Sequence, residues 1–142
     1  MPPKSRSTSA PHRRTRADHQ TETAEDYVEA IAEILAEKSI CRITDLAQKF
    51  SVSNVTVHRI IERLHSEGLV QTEPYRPLEL TDAGEKLARK SRQRHEMVYE
   101  FLVAIGVDRE TAAIDAEGIE HHVSPQTLAR FKHFVENATA KR

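Results

Sequence analysis

The sequence predicts a mainly α-helical protein, an N-terminal winged helix-turn-helix followed by a helical C-terminal part, and three observations predict it. Apolar residues recur at helical spacing along most of the chain, two short capped helices follow each other closely, and a brief strand-like stretch broken by prolines comes next. The first helix is expected over about residues 24–37, where Tyr27, Val28, Ile31, Ile34 and Leu35 form an apolar stripe with acids opposite. Thr44 is placed to cap a short helix ending at Phe50. Ser53 caps a third, in which Val57, Ile60, Ile61 and Leu64 follow the i, i+3, i+4, i+7 pattern and Gly68 lies just past the end. Two helices this close make a helix-turn-helix. Residues 69–72 and 78–80, on either side of Pro74-Tyr75-Arg76-Pro77, read as a short hairpin, the wing. A long helix over residues 83–105 carries Leu87, Val98, Phe101, Leu102 and Ile105 on one side and stops at Gly106. Two more helices are expected over residues 109–122 and 125–138, with Pro125 in a first turn.

Composition narrows the function classes. The chain has 142 residues, 21 Lys and Arg against 22 Asp and Glu, one cysteine and no tryptophan. One cysteine, Cys41, makes neither an internal disulfide nor a thiolate zinc cage, so the cytoplasm is the expected compartment. No apolar run approaches the roughly 18 residues of a membrane span. The net charge of -1 hides a striped molecule. Residues 1–20 carry +4, residues 21–41 carry -5, residues 42–94 carry +3 and residues 95–142 carry -3. The expected organisation is a flexible basic tail over 1–20, a winged-helix DNA-binding domain over 21–82 and a helical domain over 83–142, joined by the long helix.

The third helix points Asn54, Val55, Thr56, His58, Arg59 and Arg63 away from its apolar face. In the major groove Asn pairs with adenine, Arg with guanine, and a Val or Thr methyl touches thymine. Arg76 at the wing tip is placed to reach a phosphate or the minor groove. The competing reading is a solvated helix face and an ordinary exposed turn.

A second cluster is Asp115-Ala-Glu117-Gly-Ile-Glu120-His121-His122. On one helix Glu117, Glu120 and His121 stand at i, i+3 and i+4, so two carboxylates and an imidazole share a face and repel unless a cation relieves them. The alternative is a wet acidic face. His95 lies inside the apolar stripe of the long helix, where a hydrogen-bonded core histidine is the commoner outcome. Asp26 and Glu29 share a face of the first helix, but so do Glu22, Glu33 and Glu37, and periodicity does not choose among them.

The runs Glu25-Asp26-Tyr27-Val28-Glu29, Tyr75-Arg76-Pro77-Leu78-Glu79-Leu80-Thr81, Arg94-His95-Glu96 and Asp115 to His122 together resemble the diphtheria toxin repressor family, most closely its manganese transport regulators. The resemblance covers about residues 24–138. It implies metal ligands at Asp26 and Glu29, His95, and Glu117, Glu120 and His121, drawn from three helices. His122, about 100° around the helix from His121, is read as structural. Pro77 stands where the family's wing usually carries glycine, which stiffens the tip. Iron-dependent members carry methionine and cysteine where this chain has Asp26 and Glu117. Four carboxylates and two imidazoles without sulfur suit Mn²⁺ best, with Fe²⁺ as the alternative, and the manganese branch places two ions on shared carboxylates. The resemblance also implies a homodimer built through apolar residues such as Ile114, Ile119, Leu128, Phe131, Phe134 and Val135.

The expected function is therefore a Mn²⁺-responsive DNA-binding regulator that represses manganese uptake genes. Metal would tie the DNA-reading unit to the C-terminal helices, and the dimer would address half-sites roughly 34 Å apart on a palindrome. No membrane partner and no small-molecule substrate are expected. A dinuclear carboxylate enzyme is the competing class. Neither His95 nor His121 has a glutamate three residues before it, and no nucleophile stands beside a base, so no enzyme is expected.

Overall fold

The computed structural model describes residues 10–140, with side chains from residue 19 onward. Helix α1 (Ala10–Lys38) is followed by α2 (Ile43–Phe50), α3 (Asn54–Ser66), strands β1 (Val70–Gln71) and β2 (Glu79–Leu80), α4 (Asp82–Ala104), α5 (Arg109–Ile119), a 3-10 turn (Glu120–His122) and α6 (Pro125–Ala140). The mainly α architecture with an N-terminal helix-turn-helix and wing is as the sequence predicts.

Four local features differ from expectation. Helix α1 starts at Ala10, so half of the stretch read as a flexible tail is helical, while residues 1–9 lie outside the described residues. The α1 stretch before Ala24 has no apolar period, so periodicity had nothing to register there. Helix α2 begins one residue before Thr44, and its N-terminal N–H of Arg42 is satisfied instead by the Asp45 carboxylate at 2.9 Å. The wing strands are only two residues each, paired antiparallel as Val70 with Leu80 and Gln71 with Glu79. The fifth helix ends at Ile119, and Glu120, His121 and His122 tighten into the 3-10 turn.

The core of the N-terminal unit gathers Tyr27, Ile31 and Ile34 of α1 with Leu46, Val57, Ile61, Leu64, Val70 and Leu78, and buries Cys41 among them. Tyr27 stacks on Phe50, ring centres 4.3 Å apart. The wing is fastened at its base: the Leu78 N–H donates to the Cys41 carbonyl at 2.8 Å, and the Thr81 N–H to the Leu69 carbonyl at 3.1 Å. Thr81 also caps α4, its hydroxyl accepting from the Gly84 N–H and donating to the Gly68 carbonyl. A Cβ at Gly84 would fall 2.0 Å from the Leu69 carbonyl oxygen, so only glycine lets α4 lie this close to the wing. Helix α4 packs against α1 on one side and against α5 and α6 on the other. Phe101 of α4 stacks on Phe131 of α6 and meets Phe134 edge-on.

Candidate metal centre

Helix α1 serves two neighbours at once. Its apolar stripe enters the helix-turn-helix core, and its acidic side faces α4 and α5 across an open cleft of about 780 Å³. Asp26, Glu29, His95, Glu117 and Glu120 all line this cleft. His121 stands at its inner end, its side chain 2% exposed. The six positions singled out from the sequence thus converge on one region, although the local geometry is not the single helix face expected. Because α5 gives way to the 3-10 turn, Glu120 and His121 turn inward while Glu117 stays exposed on the helix.

The inner end is the tightest part. The Nδ1 of His121 lies 2.7 Å from Oε2 of Glu25, and its Nε2 lies 2.9 Å from Oδ1 of Asp26. Carboxylates only accept, so a proton sits on each ring nitrogen in this state. Burial opposes that charge, but the hydrogen bonds to Asp26 and Glu25 overcome it, and the His121 pKa is pushed up to about 10. Glu25 is itself buried and accepts from Arg94 Nη2 as well as from His121. Burial raises its pKa, but the bonds from His121 and Arg94 prevail and hold it low.

Glu120 connects the two ends of the cleft. Its Oε1 is 3.5 Å from His95 Nδ1 and 3.6 Å from His121 Nε2, while its buried Oε2 has no hydrogen-bond partner among the described residues. An orphaned carboxylate oxygen in a nest of acids and imidazoles fits a bound cation, which would supply the missing interaction. The facing Glu120 carboxylate raises the His95 pKa against the effect of burial. Glu29 accepts from Ser91 at 2.9 Å, and its pKa is raised by burial and, further, by the charge of Glu120. Among the described residues neither cysteine nor methionine lines the cleft, and Cys41 is enclosed in the other core. Sequence reasoning missed Glu25 and Arg94 as partners of the site. Their only signal was adjacency to Asp26 and His95 within the quoted runs.

In the winged helix, Asn54, Val55, Thr56, His58 and Arg59 are exposed along α3. Thr56 is held in the cap of α3 by Ser53, at 3.1 Å from its N–H. Arg63 turns back, its Nη2 donating to the Gln20 carbonyl of α1 at 3.1 Å. Arg76 pairs with Glu73 at 3.3 Å in the wing, beside a fully exposed Tyr75 whose φ is 65°.

Residues 19–78 match the profile of the iron dependent repressor N-terminal DNA binding domain, and residues 81–141 that of the iron dependent repressor metal binding and dimerisation domain. The chain belongs to the iron-dependent repressor family. Its similarity to the transcriptional regulator MntR of Escherichia coli O6:H1 is 43% identity over 129 residues, 91% of this chain and 83% of that protein. To the HTH-type transcriptional regulator MntR of Bacillus subtilis strain 168 it is 36% over 116 residues, 82% of each chain. Among solved structures, a manganese-dependent transcriptional repressor in complex with manganese superposes with a TM-score of 0.70 at 29% identity, covering 80% of this chain. This chain spans about half (52%) of the length of that structure. Like other members of the iron-dependent repressor family, the protein is a metal-responsive DNA-binding regulator with a dimerising C-terminal domain and is not an enzyme. Among the described residues no helix is long and apolar enough to cross a membrane.

Proposed function

We propose that the protein is a manganese-responsive repressor of manganese uptake genes, with Asp26, Glu29, His95, Glu117, Glu120 and His121 as its metal ligands. The observation that carries this reading is Glu120, a buried carboxylate with an unpaired oxygen, set between two imidazoles in a cleft free of sulfur. Hard oxygen and imidazole donors suit Mn²⁺, the weakest binder of the Irving–Williams series, because they offer nothing extra to softer competitors. The manganese-dependent repressor among the similar solved structures supports the same choice. These residues would hold up to two divalent ions, Asp26 and His121 on one side and Glu29 and His95 on the other, with Glu120 facing both histidines.

Bound divalent metal supplies positive charge that relieves the repulsion among the four carboxylates. The residues do the rest: Asp26 and Glu29 belong to the helix whose other face packs the helix-turn-helix, while Glu117, Glu120 and His121 belong to the C-terminal half. Closing the cleft fixes α1 against α5 and so sets the spacing of the two recognition helices in the dimer, shifting the ensemble toward the DNA-binding form. Asn54, Val55, Thr56, His58, Arg59 and Arg76 then contact a palindromic operator, while Arg63, expected with them, is drawn back to the Gln20 carbonyl of α1. A tenfold gain in DNA affinity needs only about 1.4 kcal/mol of this coupling.

The test is binding of the full chain to its own promoter and to neighbouring transporter promoters, with Mn²⁺ and with chelator. Tighter binding with Mn²⁺ is expected, and equal affinity in the two conditions would refute the metal switch.

A further inference from the structure

We infer that Glu22 is a seventh metal ligand, closing the outer side of the Asp26–His121 position; this rests on the metal site proposed above. Glu22 lies one helical turn before Asp26 on α1, so the two carboxylates project from the same face. Each of Glu22, Asp26 and His121 offers a ligand atom, and the three atoms lie within 4.8 Å of one another, the one such three-residue group among the described residues. A second and independent observation points into the same place. The buried Glu120 carboxylate abuts this trio, with Oε1 3.6 Å from His121 Nε2 and Oε2 unpaired.

The Glu22 side chain is 28% exposed and faces His122, whose Nε2 stands 3.5 Å from its Oε2. It is therefore already held beside Asp26 and His121. This also gives a role to His122, which lines the approach to Glu22 from the turn that carries His121. A fifth carboxylate makes the inner position harder in the chemical sense and more negative. The oxygen donor suits a divalent cation that prefers oxygen, and the added charge strengthens the attraction for any divalent cation. It also places a ligand at the N-terminal side of Asp26, so that α1 is gripped over more than one turn when the cleft closes.

The experiment is Mn²⁺ binding to full-length E22Q, E33Q and wild type, followed by calorimetry and by the Mn²⁺ EPR spectrum of the bound ion. Glu33 lines the same cleft but is engaged by Lys49 at 2.8 Å, so E33Q removes an equal charge without removing the proposed ligand. E22Q is expected to weaken Mn²⁺ roughly 10-fold or more with an altered spectrum, while E33Q stays near wild type. Loss of equal size in E22Q and E33Q would reduce Glu22 to a long-range charge and overturn the inference. So would an E22Q protein identical to wild type, and if E120Q still lost binding, the proposed function would stand without Glu22. A wild-type protein that bound no Mn²⁺ would overturn both.

Discussion

Arg94, Glu25 and His121 form the chain of contacts on which the proposed inner metal position depends. Glu25 presents one oxygen to Arg94 and to His121 Nδ1, which leaves Nε2 turned toward Asp26 and the cleft. An imidazole oriented by a carboxylate behind it is the usual arrangement for a histidine ligand. Replacing Glu25 by Gln removes the carboxylate from the half-buried Arg94 and one of the two carboxylates at His121, and the metal-free protein should lose about 1–3 kcal/mol, read from urea denaturation; unchanged stability would show that the contacts are incidental. Selectivity is also set at this scale. Glu117 to Cys introduces a thiolate beside imidazoles and should shift the response from Mn²⁺ toward softer ions, measured by competition with Fe²⁺ or Zn²⁺; an unaltered metal preference would go against the sulfur argument. Cys41 is the opposite case. Burial, helped by Asp45 and partly offset by Lys38, pushes its thiol up to about 11. At pH 8 the folded protein should therefore resist iodoacetamide that labels the unfolded chain readily. Because the folded pKa exceeds the unfolded value of about 8.5, this group's contribution to stability is intact below that pH and is lost as pH rises toward 11.

At the level of elements, α4 joins α1 and β2 to α5, the 3-10 turn and α6, and its start is tightly constrained. Gly84 lies against the Leu69 carbonyl and Thr81 ties the cap to the wing base. Gly84 to Ala must push α4 away from the wing and should cost about 1–3 kcal/mol, whereas Thr81 to Ala should cost about 1 kcal/mol; thermal unfolding that ranked them the other way would contradict the close-approach argument. Much of this was legible in advance. Ser53 as a cap, Gly68 beyond α3 with its φ of +76°, and the apolar periods of α3 and α4 all encode local preferences that the tertiary structure respects. The end of α5 was not legible, because Glu120, His121 and His122 continue a helical pattern in sequence and the tightening to a 3-10 turn places Glu120 and His121 between α1 and α4. The first turns of α1 were hidden for the opposite reason: they carry no apolar stripe. Among the proposed ligands, spacing brought Glu117, Glu120 and His121 together, but selecting Asp26 and Glu29 from five acids needed the family resemblance. In the structure Asp26 touches His121 and Glu29 is held by Ser91, whereas Glu33 is engaged by Lys49 and Glu22 also lies beside His121.

For the whole molecule, the net charge of -1 is the sum of opposed regions. Acids concentrate in the segments that supply most of the cleft, and basic groups in the tail, winged helix and adjoining helix. Metal binding would neutralise the former and leave the latter to attract DNA phosphates, so operator affinity should fall with salt in the usual counterion-release manner. The C-terminal half leaves apolar side chains uncovered, with Ile114 67% and Phe134 45% exposed, and α6 has no buried residue. Such a surface on a dimerisation domain is expected to be covered by the second copy. Replacing Phe134 by Glu should produce monomers in sedimentation and weaken operator binding, and a dimer that persisted would locate the interface elsewhere. The central claim is that metal site and DNA-binding surface are coupled, and coupling is reciprocal. It is tested most directly by titrating Mn²⁺ into the full-length protein alone and in complex with operator DNA. Tighter Mn²⁺ binding in the presence of operator is the predicted result, and identical Mn²⁺ affinity with and without DNA would contradict the account.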